Sequence, residues 1–419
     1  MNDFQERNGE LWCEDVPLAA IAEAVGTPVY VYSTATMVRH ARVMQESLQG
    51  LDDPLVAYAV KANPNAAVLS TLARAGLGAD VVSIGEYRRA RAAGISADRI
   101  VFSGVGKTEA EMEEALKGGL LQFNVESVEE ARTLSSVATS LGLVAPIGFR
   151  INPDVEAGTH SKITTGTVDN KFGISADQAL AAYAEAGALP GIEVTGMTVH
   201  IGSQLTSLAP LEKAFVRLGE ILSMVRDAGT DIRLVDLGGG LGVPYGRDQP
   251  HPPSPQEYGE MVRRVTEGWN ARLIFEPGRL IVANAGVLLT RVVRIKPGAR
   301  NPWVIVDAAM NDLMRPALYD AYHDVDAVSR SGRDMDANVV GPVCESGDTF
   351  ATARSMDEVK AGDLVVFRTA GAYGAAMSSG YNSRPLTPEV LVDDGKWALV
   401  RRRVDVDEMA AAPLPDWLS

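Results

Sequence analysis

The length, composition and charge of the chain limit its class before any motif is considered. Its 419 residues, 46 % of them hydrophobic and 22 % charged, suit two or three domains or one large α/β barrel with a companion domain. The net charge of −15 argues against a nucleic acid or an anionic membrane as partner, because both require a basic face. The chain has two cysteines, no signal peptide and no apolar run of the roughly 18 residues that span a membrane, so we expect a cytoplasmic protein.

Short β-rich apolar runs alternate with amphipathic helical stretches over the first two thirds of the chain. Several runs are almost continuously apolar, as expected for parallel strands buried on both faces. The predicted strands are 55–60, 79–83, 99–103, 121–125, 146–151, 194–201, 233–238 and 272–276. Eight β-then-α units over about 250 residues predict a (β/α)8 barrel, which we place at 33–284. An open doubly wound sheet is the alternative, although eight consecutive parallel units are many for one.

Helix-start signals fall between the predicted strands. Three pairs have capping-box spacing, in which a hydroxyl accepts a backbone N–H and the acid or amide reaches back. The pairs are Thr108 with Glu111, Ser127 with Glu130, and Ser175 with Gln178. The helical stretch 85–93 is predicted to stop at Gly94, which suits a left-handed C-terminal cap.

The pattern changes after about residue 284, where strand-like runs follow one another with little helix between them. These runs are 286–294, 303–307, 338–343, 363–369 and 397–401. They predict a β-rich domain at 285–419, either a sandwich or a barrel. The N-terminal segment 1–32, through its apolar run 29–32, is predicted to join that domain.

Polar groups follow four of the predicted barrel strands at their C-terminal ends, where barrel active sites are built. They are Lys61, His200, the glycines 238–240, and Glu276 with Arg279. Taken singly, the lysine more often extends from a strand end into solvent, and the glycines more often form a tight turn. Together they offer a Schiff-base lysine, a phosphate cradle and an acid for a pyridine nitrogen, which predicts pyridoxal 5′-phosphate (PLP) as cofactor.

The histidines and the remaining cysteine complete the survey of reactive side chains. None of the five histidines has metal-ligand spacing, so we predict no catalytic metal. His200 is predicted to stack on the cofactor ring. The residues predicted to be structural are His40, His160, His251, His323 and Cys13.

An ordered set of motifs runs nearly end to end along the chain. The motifs are YAVKANPN (58–65), ADVVSIGEY (79–87), GFRINPDV (148–155), KFGI (171–174), HIGSQL (200–205), DLGGGLGVPYG (236–246), EPGRLIVANAG (276–286), NDLMRPALYDAYH (311–323), GPVCESGD (341–348) and GAYGAAMSSGYNSRP (371–385). On these motifs the chain resembles the diaminopimelate decarboxylases, a family of the alanine-racemase-like, fold type III class of PLP enzymes. Single motifs are shared with ornithine and arginine decarboxylases, but the ordered set with Cys-Glu in the second domain favours the diaminopimelate family.

The resemblance implies a role for each cofactor-binding residue. Lys61 would hold PLP covalently, His200 would stack on the ring, and Glu276 would face the pyridine nitrogen. The other implied cofactor contacts are Asp80, Ser203, Gly239, Gly240, Gly278, Arg279 and Tyr373. The implied catalytic residues are Lys61, Cys344 and His200.

The resemblance also implies how a substrate would be held. Arg279, Arg315 and Tyr319 would bind its retained carboxylate. Tyr373 would contact both cofactor and substrate, and Glu345 would recognise the distal amino group. Cys344 would donate a proton to the carbanion carbon. In the family the Cys-Glu segment reaches the active site of a partner subunit, so a homodimer is implied. Taken alone, Cys344 would more often be a buried apolar thiol.

The implied reaction is decarboxylation of meso-2,6-diaminopimelate to L-lysine and CO2, the last step of lysine biosynthesis. The main alternative is the same chemistry on ornithine, arginine or carboxynorspermidine, although such relatives usually have Asp where this chain has Glu345. A racemase would normally require a second tyrosine base, and a non-catalytic PLP-binding module typically loses the lysine or the cysteine. The chain departs from the family at Ile84, where glycine is expected, and at Leu280, where a small residue is usual.

Overall fold

The computed structural model describes residues 2–155, 171–247, 249, 251–410 and 414–418. His160 therefore lies outside the described residues. The chain divides into a barrel unit, Met37–Pro244 with Pro250–Ile281, and a β-rich unit, Met1–Thr36 with Tyr245–Gln249 and Val282–Ser419. Among the described residues, no helix combines the length and apolar character needed to cross a membrane.

The secondary structure is given in chain order. The strands are β1 Phe4–Arg7, β2 Glu10–Cys13, β3 Val16–Pro17, β4 Val29–Ser33, β5 Leu55–Ala59, β6 Gly78–Val81, β7 Ile100–Phe102, β8 Gln122–Val125, β9 Ala145–Asn152, β10 Ile174–Ser175, β11 Ile192–Thr198, β12 Leu234–Asp236, β13 Arg272–Phe275, β14 Gly286–Lys296, β15 Trp303–Val306, β16 Val325–Ala327, β17 Asp334–Val340, β18 Thr349–Asp357, β19 Leu364–Phe367, β20 Glu389–Asp393 and β21 Lys396–Arg401. The helices are α1 Leu18–Val25, α2 Thr34–Ser47, α3 Ala66–Arg74, α4 Ile84–Ala92, α5 Glu109–Lys117, α6 Val128–Leu141, α7 Ala179–Gly187, α8 Ala209–Asp227, α9 Pro255–Val265, α10 Arg279–Val282, α11 Arg315–Tyr319 and α12 Val406–Met409.

Eight parallel strands close a barrel in the barrel unit. Their order around the ring is β5, β6, β7, β8, β9, β11, β12 and β13, and β13 pairs back onto β5 through Ile274 and Leu55. Each predicted barrel strand corresponds to one strand of this ring, and β10 is added beside β9 outside it. The predicted (β/α)8 barrel is therefore confirmed, and the open-sheet alternative is wrong because the sheet has no free edge.

The interior of the barrel contains a polar layer below its carboxyl-terminal rim. A Cβ atom on Gly196 would lie 2.0 Å from Oε1 of Gln122, and one on Gly148 would lie 2.6 Å from its Nε2, so both positions must be glycine. Gln122 Nε2 donates to Asn124 Oδ1 at 2.8 Å, and the Thr195 hydroxyl donates to Gln122 Oε1 at 3.1 Å. These bonds fix the orientation of the Asn124 amide, which lies next to the candidate site.

Two of the predicted helix starts are formed by a side-chain cap. Thr108 and Glu111 form a full capping box at the start of α5. Ser127 accepts the Glu130 N–H at the start of α6, as predicted, but the Glu130 carboxylate binds other groups and does not complete the box.

The two remaining helix-end predictions have opposite outcomes. Ser175 makes no side-chain cap, because residues 176–178 form a short 3-10 turn before α7, so this predicted box is wrong. Gly94 follows the last turn of α4 with φ of +95°, the left-handed conformation expected of a terminating glycine.

The β-rich unit is built around β14. The N-terminal strand β4 pairs antiparallel with β14 and parallel with β20, so the N-terminal segment completes this domain as predicted. The larger sheet has the order β18-β17-β15-β14-β4-β20-β21, with β19 also paired to β14 and β16 to β19. Strands β16, β18 and β20 and the small sheet β1-β2-β3 were not predicted from the sequence.

The two faces of β4 alternate as a buried strand requires. Val29 and Val31 join a hydrophobic cluster with β14 and β20 residues. On the other face, the hydroxyl of Tyr30 donates to the Asp312 carbonyl at 2.6 Å, and that of Tyr32 donates to Glu389 Oε2 at 2.6 Å. Burying these hydroxyls is tolerated because each has a hydrogen-bond acceptor.

Candidate active site

Lys61 lies in a single 3-10 turn that follows β5, at the carboxyl-terminal rim of the barrel. Its Nζ donates to Asp80 Oδ2 at 2.7 Å. The Asp80 side chain on β6 is 0 % exposed, whereas the Lys61 side chain is 40 % exposed. The ion pair thus fixes the direction of a lysine whose amine remains accessible from the rim.

Two acids at the ends of neighbouring strands lie beside this pair. Asp236 closes β12, Glu276 follows β13, and their carboxyl groups are hydrogen-bonded to each other. Burial raises the pKa of Asp236 to about 6, against the lowering effect of its hydrogen bonds. Burial, followed by the charges of Asp236 and Asp80, raises the pKa of Glu276 well above its usual value. The site therefore carries an excess of acidic groups over nearby cations.

His200 follows β11 and contacts the glycine loop after β12. Its Nδ1 accepts the Gly239 N–H at 3.2 Å. Burial of the ring, followed by the positive charges of Arg150 and Lys61, lowers the pKa of His200 well below its usual value. Both observations assign a neutral imidazole with its proton on Nε2. A neutral aromatic ring at this position suits stacking against a flat cofactor.

The loops after β11, β12 and β13 approach one another backbone to backbone. A Cβ atom on Gly239 would lie 2.3 Å from the Glu276 carbonyl oxygen, and one on Gly240 would lie 2.8 Å from that of Gly202. Gly240 also has φ of +119°, so both the close contact and the backbone conformation disfavour a side chain there. Glycine is therefore required at this turn by the fold itself, as well as by any ligand that approaches its N–H groups.

Arg279 begins α10 and is almost fully buried. Its Nη2 donates to Ser203 Oγ at 3.0 Å, which joins the loop after β13 to the loop after β11. Gly278, just before it, packs with its Cα against Ala62 and Ala59, where a Cβ atom would be 3.0 and 3.1 Å from theirs. The predicted phosphate-binding groups are thus brought to one side of the same rim.

The donor set fits PLP. A lysine amine, a neutral imidazole and a buried acid stand within one rim, with a guanidinium, a hydroxyl and glycine N–H groups beside them. The decisive feature is the excess of buried carboxyl groups, Asp80, Asp236 and Glu276, around Lys61. A pyridinium ring would offset that charge. Among the described residues, no cluster of three or more His, Cys, Asp or Glu side chains is placed to hold a metal ion.

Within the β-rich unit, Arg315 on α11 is held between two rings. Its Nη1 lies 2.8 Å from Nε2 of His323, and its guanidinium carbon lies 4.3 Å from the ring centre of Tyr245. Nδ1 of His323 bonds to the Arg368 carbonyl oxygen at 2.7 Å. His323 therefore donates from Nδ1 and accepts at Nε2, which makes it a neutral support for Arg315. The sequence predicted a structural role for His323 but not its link to Arg315.

Cys344 and Glu345 lie on the loop between β17 and β18, exposed within their own unit. The Cys344 N–H donates to Asn382 Oδ1 at 3.2 Å, and the Tyr381 hydroxyl donates to Glu345 Oε2 at 2.8 Å. Buried Asp348 shapes this loop. Its carboxylate accepts the N–H groups at positions 310 and 343, each at 2.7 Å.

The remaining two predicted substrate residues are also in the β-rich unit. Tyr319 is half-buried at the end of α11, and Tyr373 follows β19 with φ of +55°. The left-handed backbone at Tyr373 is uncommon for an aromatic residue and is consistent with a functional constraint.

The sequence did not single out several residues of the site. Asp236, Asn124 and Ser103 form its hydrogen-bonded floor, and Tyr381 contacts Glu345. Asp236 was visible within the DLGGG motif, directly before the predicted phosphate loop. Asn124 was visible as a polar side chain inside an otherwise apolar buried strand, where an amide requires partners.

Comparison with known proteins identifies the general class of protein to which the chain belongs. A family model described as the pyridoxal binding domain of the pyridoxal-dependent decarboxylases matches residues 34–283. The fold and the site therefore define a PLP-dependent carboxy-lyase, and the cofactor predicted from the sequence is confirmed.

The particular family follows from full-length relatives. The chain is 55 % identical to the diaminopimelate decarboxylase of Zymomonas mobilis, over 98 % of both chains. Crystal structures of diaminopimelate decarboxylases complexed with L-lysine are also similar. That of M. jannaschii has a TM-score of 0.94 and 34 % identity over 100 % of both chains. That of Helicobacter pylori has a TM-score of 0.90 and 40 % identity over 94 % of this chain and 98 % of the other. The chain belongs to the diaminopimelate decarboxylase family.

Proposed function

We propose that this protein decarboxylates meso-2,6-diaminopimelate to L-lysine and CO2, the last step of lysine biosynthesis. The observation that carries the proposal is the full-length likeness to diaminopimelate decarboxylases, including structures that hold L-lysine. The β-rich unit adds a physical argument. It presents a cation, Arg315, and an anion, Glu345, as recognition of a carboxylate and a distal ammonium requires.

The barrel residues would hold the cofactor. Lys61 would carry it covalently, with Asp80 fixing the direction of the amine. His200 would offer its neutral ring for stacking, and Glu276 would offer its carboxyl group to the pyridine nitrogen. The groups that bind its phosphate are Ser203, Gly239, Gly240 and Arg279, with Gly278 allowing the close approach of α10. When bound, PLP accepts the electron pair released as the carboxylate leaves.

The residues of the β-rich unit would bind substrate and move the proton. By the family resemblance, Arg315 and Tyr319, with Arg279, would bind the retained carboxylate. Tyr373 would contact cofactor and substrate, and Glu345 would bind the distal ammonium. Cys344 gives a proton from Sγ to the carbon that has lost its carboxylate. The S–H bond breaks, a C–H bond forms, and the thiolate regains a proton from solvent.

We also propose a homodimer in which the Cys344–Glu345 segment serves the barrel of the partner subunit. The exposure of this segment within its own unit supports the proposal, as does the family resemblance. A reactive exposed thiol that must stay reduced favours the cytoplasm as location. A mixing experiment tests the shared site. Inactive Lys61→Ala and Cys344→Ala subunits, mixed and reassembled, should regain about a quarter of wild-type activity, because half of the dimers then contain one intact site. No recovery would contradict sharing.

The test of the reaction is a substrate panel scored for CO2 release. The panel contains meso-diaminopimelate, ornithine, arginine and carboxynorspermidine. Meso-diaminopimelate should be turned over fastest, with L-lysine as product. Chiral analysis of recovered substrate tests racemisation in the same samples. Faster release of CO2 from ornithine or arginine would contradict the proposed substrate while leaving the PLP chemistry intact.

A further inference from the structure

Asp236 is a buried acid to which the reaction described above assigns no task. Its side chain is 0 % exposed, and Glu276, to which it is hydrogen-bonded, is 8 % exposed. An ionised carboxylate has no proton to donate, so two carboxyl groups joined by a hydrogen bond hold one proton between them. The pair therefore has a charge of about −1 rather than −2.

The hydrogen bonds to Asp236 decide where that proton lies. Its Oδ1 accepts the Gly238 N–H at 2.9 Å, and its Oδ2 accepts from Asn124 Nδ2 at 3.0 Å. Both oxygens thus face donors, which is the pattern of a carboxylate. The further hydrogen bond described for the Glu276 carboxyl group is a long one, from the Ser103 hydroxyl at 3.5 Å. The proton consequently belongs on Glu276.

The charges around Glu276 agree with this placement. The groups that act on it from the surrounding strands are Lys61 after β5, Asp80 on β6, Ser103 after β7 and Asp236 on β12. The two acids raise the pKa of Glu276 in addition to burial, and Lys61 lowers it only in part, since Asp80 already pairs with it. A cation placed directly against Glu276 would reverse the balance.

We propose that Asp236 is a positioning residue that keeps Glu276 protonated in the cofactor-free protein and releases that proton when the pyridine ring binds. The proposal rests on the proposed placement of Glu276 opposite the ring nitrogen. The O–H bond at Glu276 breaks and an N–H bond forms at an unprotonated ring nitrogen. When the ring arrives already protonated, it keeps its proton and Glu276 releases its own to solvent. In both cases two carboxylates then face one pyridinium, and the second negative charge stabilises the protonated ring.

Infrared difference spectroscopy of the full chain, without and with PLP, tests the proton directly. The cofactor-free protein at neutral pH should show the carbonyl band of a protonated carboxyl group. The band should shift when the side-chain carbonyl carbon of glutamate is isotopically labelled, and it should disappear when PLP binds. Absence of a glutamate band, or its persistence after PLP binds, overturns the proposal.

Variants separate the two members of the pair. Glu276→Gln should remove the band, and so should Asp236→Asn, because an asparagine amide donates to Glu276 and stabilises its carboxylate. Asp236→Asn should also weaken PLP binding about tenfold, as expected for a shift of roughly one pKa unit in the ring. Asp177→Asn is the matched control and should keep the band and bind PLP within about twofold, because it makes the same substitution at an exposed acid outside the site. A persistent band in Asp236→Asn would overturn the role of Asp236.

The result does not depend on the substrate. If Asp236→Asn fails to fold, Asp236→Ser tests the role of Asp236 instead, because the serine hydroxyl also donates to Glu276 and should remove the band. If the substrate panel favours another amino acid, the spectra are unaffected. If Glu276→Gln binds PLP as tightly as wild type, the placement of Glu276 opposite the ring is wrong, and this outcome is distinct from absence of the band.

Discussion

The barrel unit and the β-rich unit hold their candidate functional residues in contrasting ways. In the barrel, Asp80 and Asp236 are fully buried and Glu276 nearly so, and each is tied into a network that begins in the strands. In the β-rich unit, Cys344 and Glu345 stand exposed on a loop. The contrast suggests that the cofactor-holding groups are part of the fold, whereas the groups that select proton and substrate can change without unfolding their own unit.

Arg315 is an exception within the β-rich unit. It is 6 % exposed and is supported by His323, itself 1 % exposed, and by the ring of Tyr245. The unit thus offers one rigid cation and one exposed anion. Substitutions in the two units should separate loss of cofactor, loss of the proton donor and loss of substrate affinity.

Replacing Lys61, the lysine that would carry the cofactor, should have the largest effect on activity. Lys61→Ala should reduce turnover by about 10³-fold or more, as removal of a covalent catalyst generally does. It should also abolish the visible absorbance that borohydride removes from wild type. Lys117→Ala is the matched control, because Lys117 is exposed on α5 and pairs with Glu113 at the surface. Persistence of the absorbance in Lys61→Ala would show that another lysine carries the cofactor.

Replacing the exposed thiol should have the next largest effect. Cys344→Ala should lower kcat by about 10²- to 10⁴-fold, the usual contribution of a positioned proton donor, while the cofactor absorbance stays intact. The matched control is Cys13→Ala, since Cys13 is buried and burial raises the pKa of its thiol well above the usual value. Thiol alkylation should accordingly modify Cys344 and spare Cys13. Undiminished turnover of Cys344→Ala would reject the proton-donor role.

The same contrast explains what could be predicted from the sequence. The barrel strands were predictable because parallel strands buried on both faces are continuous apolar runs, such as 55–60. Strand β18, Thr349–Asp357, has exposed residues at its centre, between two buried pairs, and includes Arg354, so its apolar signal is weak. Strand β16, Val325–Ala327, is too short to show a pattern.

Prediction of the site residues from the sequence was limited in a similar way. Residues at strand ends, such as Lys61 and Glu276, could be predicted because a barrel brings all strand ends to one rim. The partners of those residues could not, because Asn124 reaches Asp236 across 112 positions of sequence. Likewise, His323 supports Arg315 through ring nitrogens whose protonation depends on the Arg368 carbonyl. Such links depend on three-dimensional packing.

Weakening the support of the rigid cation, Arg315, should affect substrate binding more than turnover. His323→Leu removes the acceptor of Arg315 and should raise KM for meso-diaminopimelate about tenfold with a smaller change in kcat, because a hydrogen bond to a charged group contributes about 1.5 kcal/mol. His323→Gln retains both a donor and an acceptor and should recover part of the loss. The check is the separation of KM from kcat. An unchanged KM in His323→Leu would show that Arg315 does not need this support to bind substrate.

Loss of the Tyr381 hydroxyl beside the exposed anion, Glu345, should have the smallest effect on activity. Tyr381→Phe removes the hydroxyl that donates to Glu345 at 2.8 Å. Water can replace an exposed donor, so kcat/KM should fall by no more than about threefold, within the range of exposed polar pairs. Glu345→Gln should cost more, because it removes the charge that meets the distal ammonium, and the preference for meso-diaminopimelate over ornithine should change with it. A loss for Tyr381→Phe as large as that for His323→Leu would contradict the contrast between the two charges, because Glu345 would then depend on fixed partners as Arg315 does.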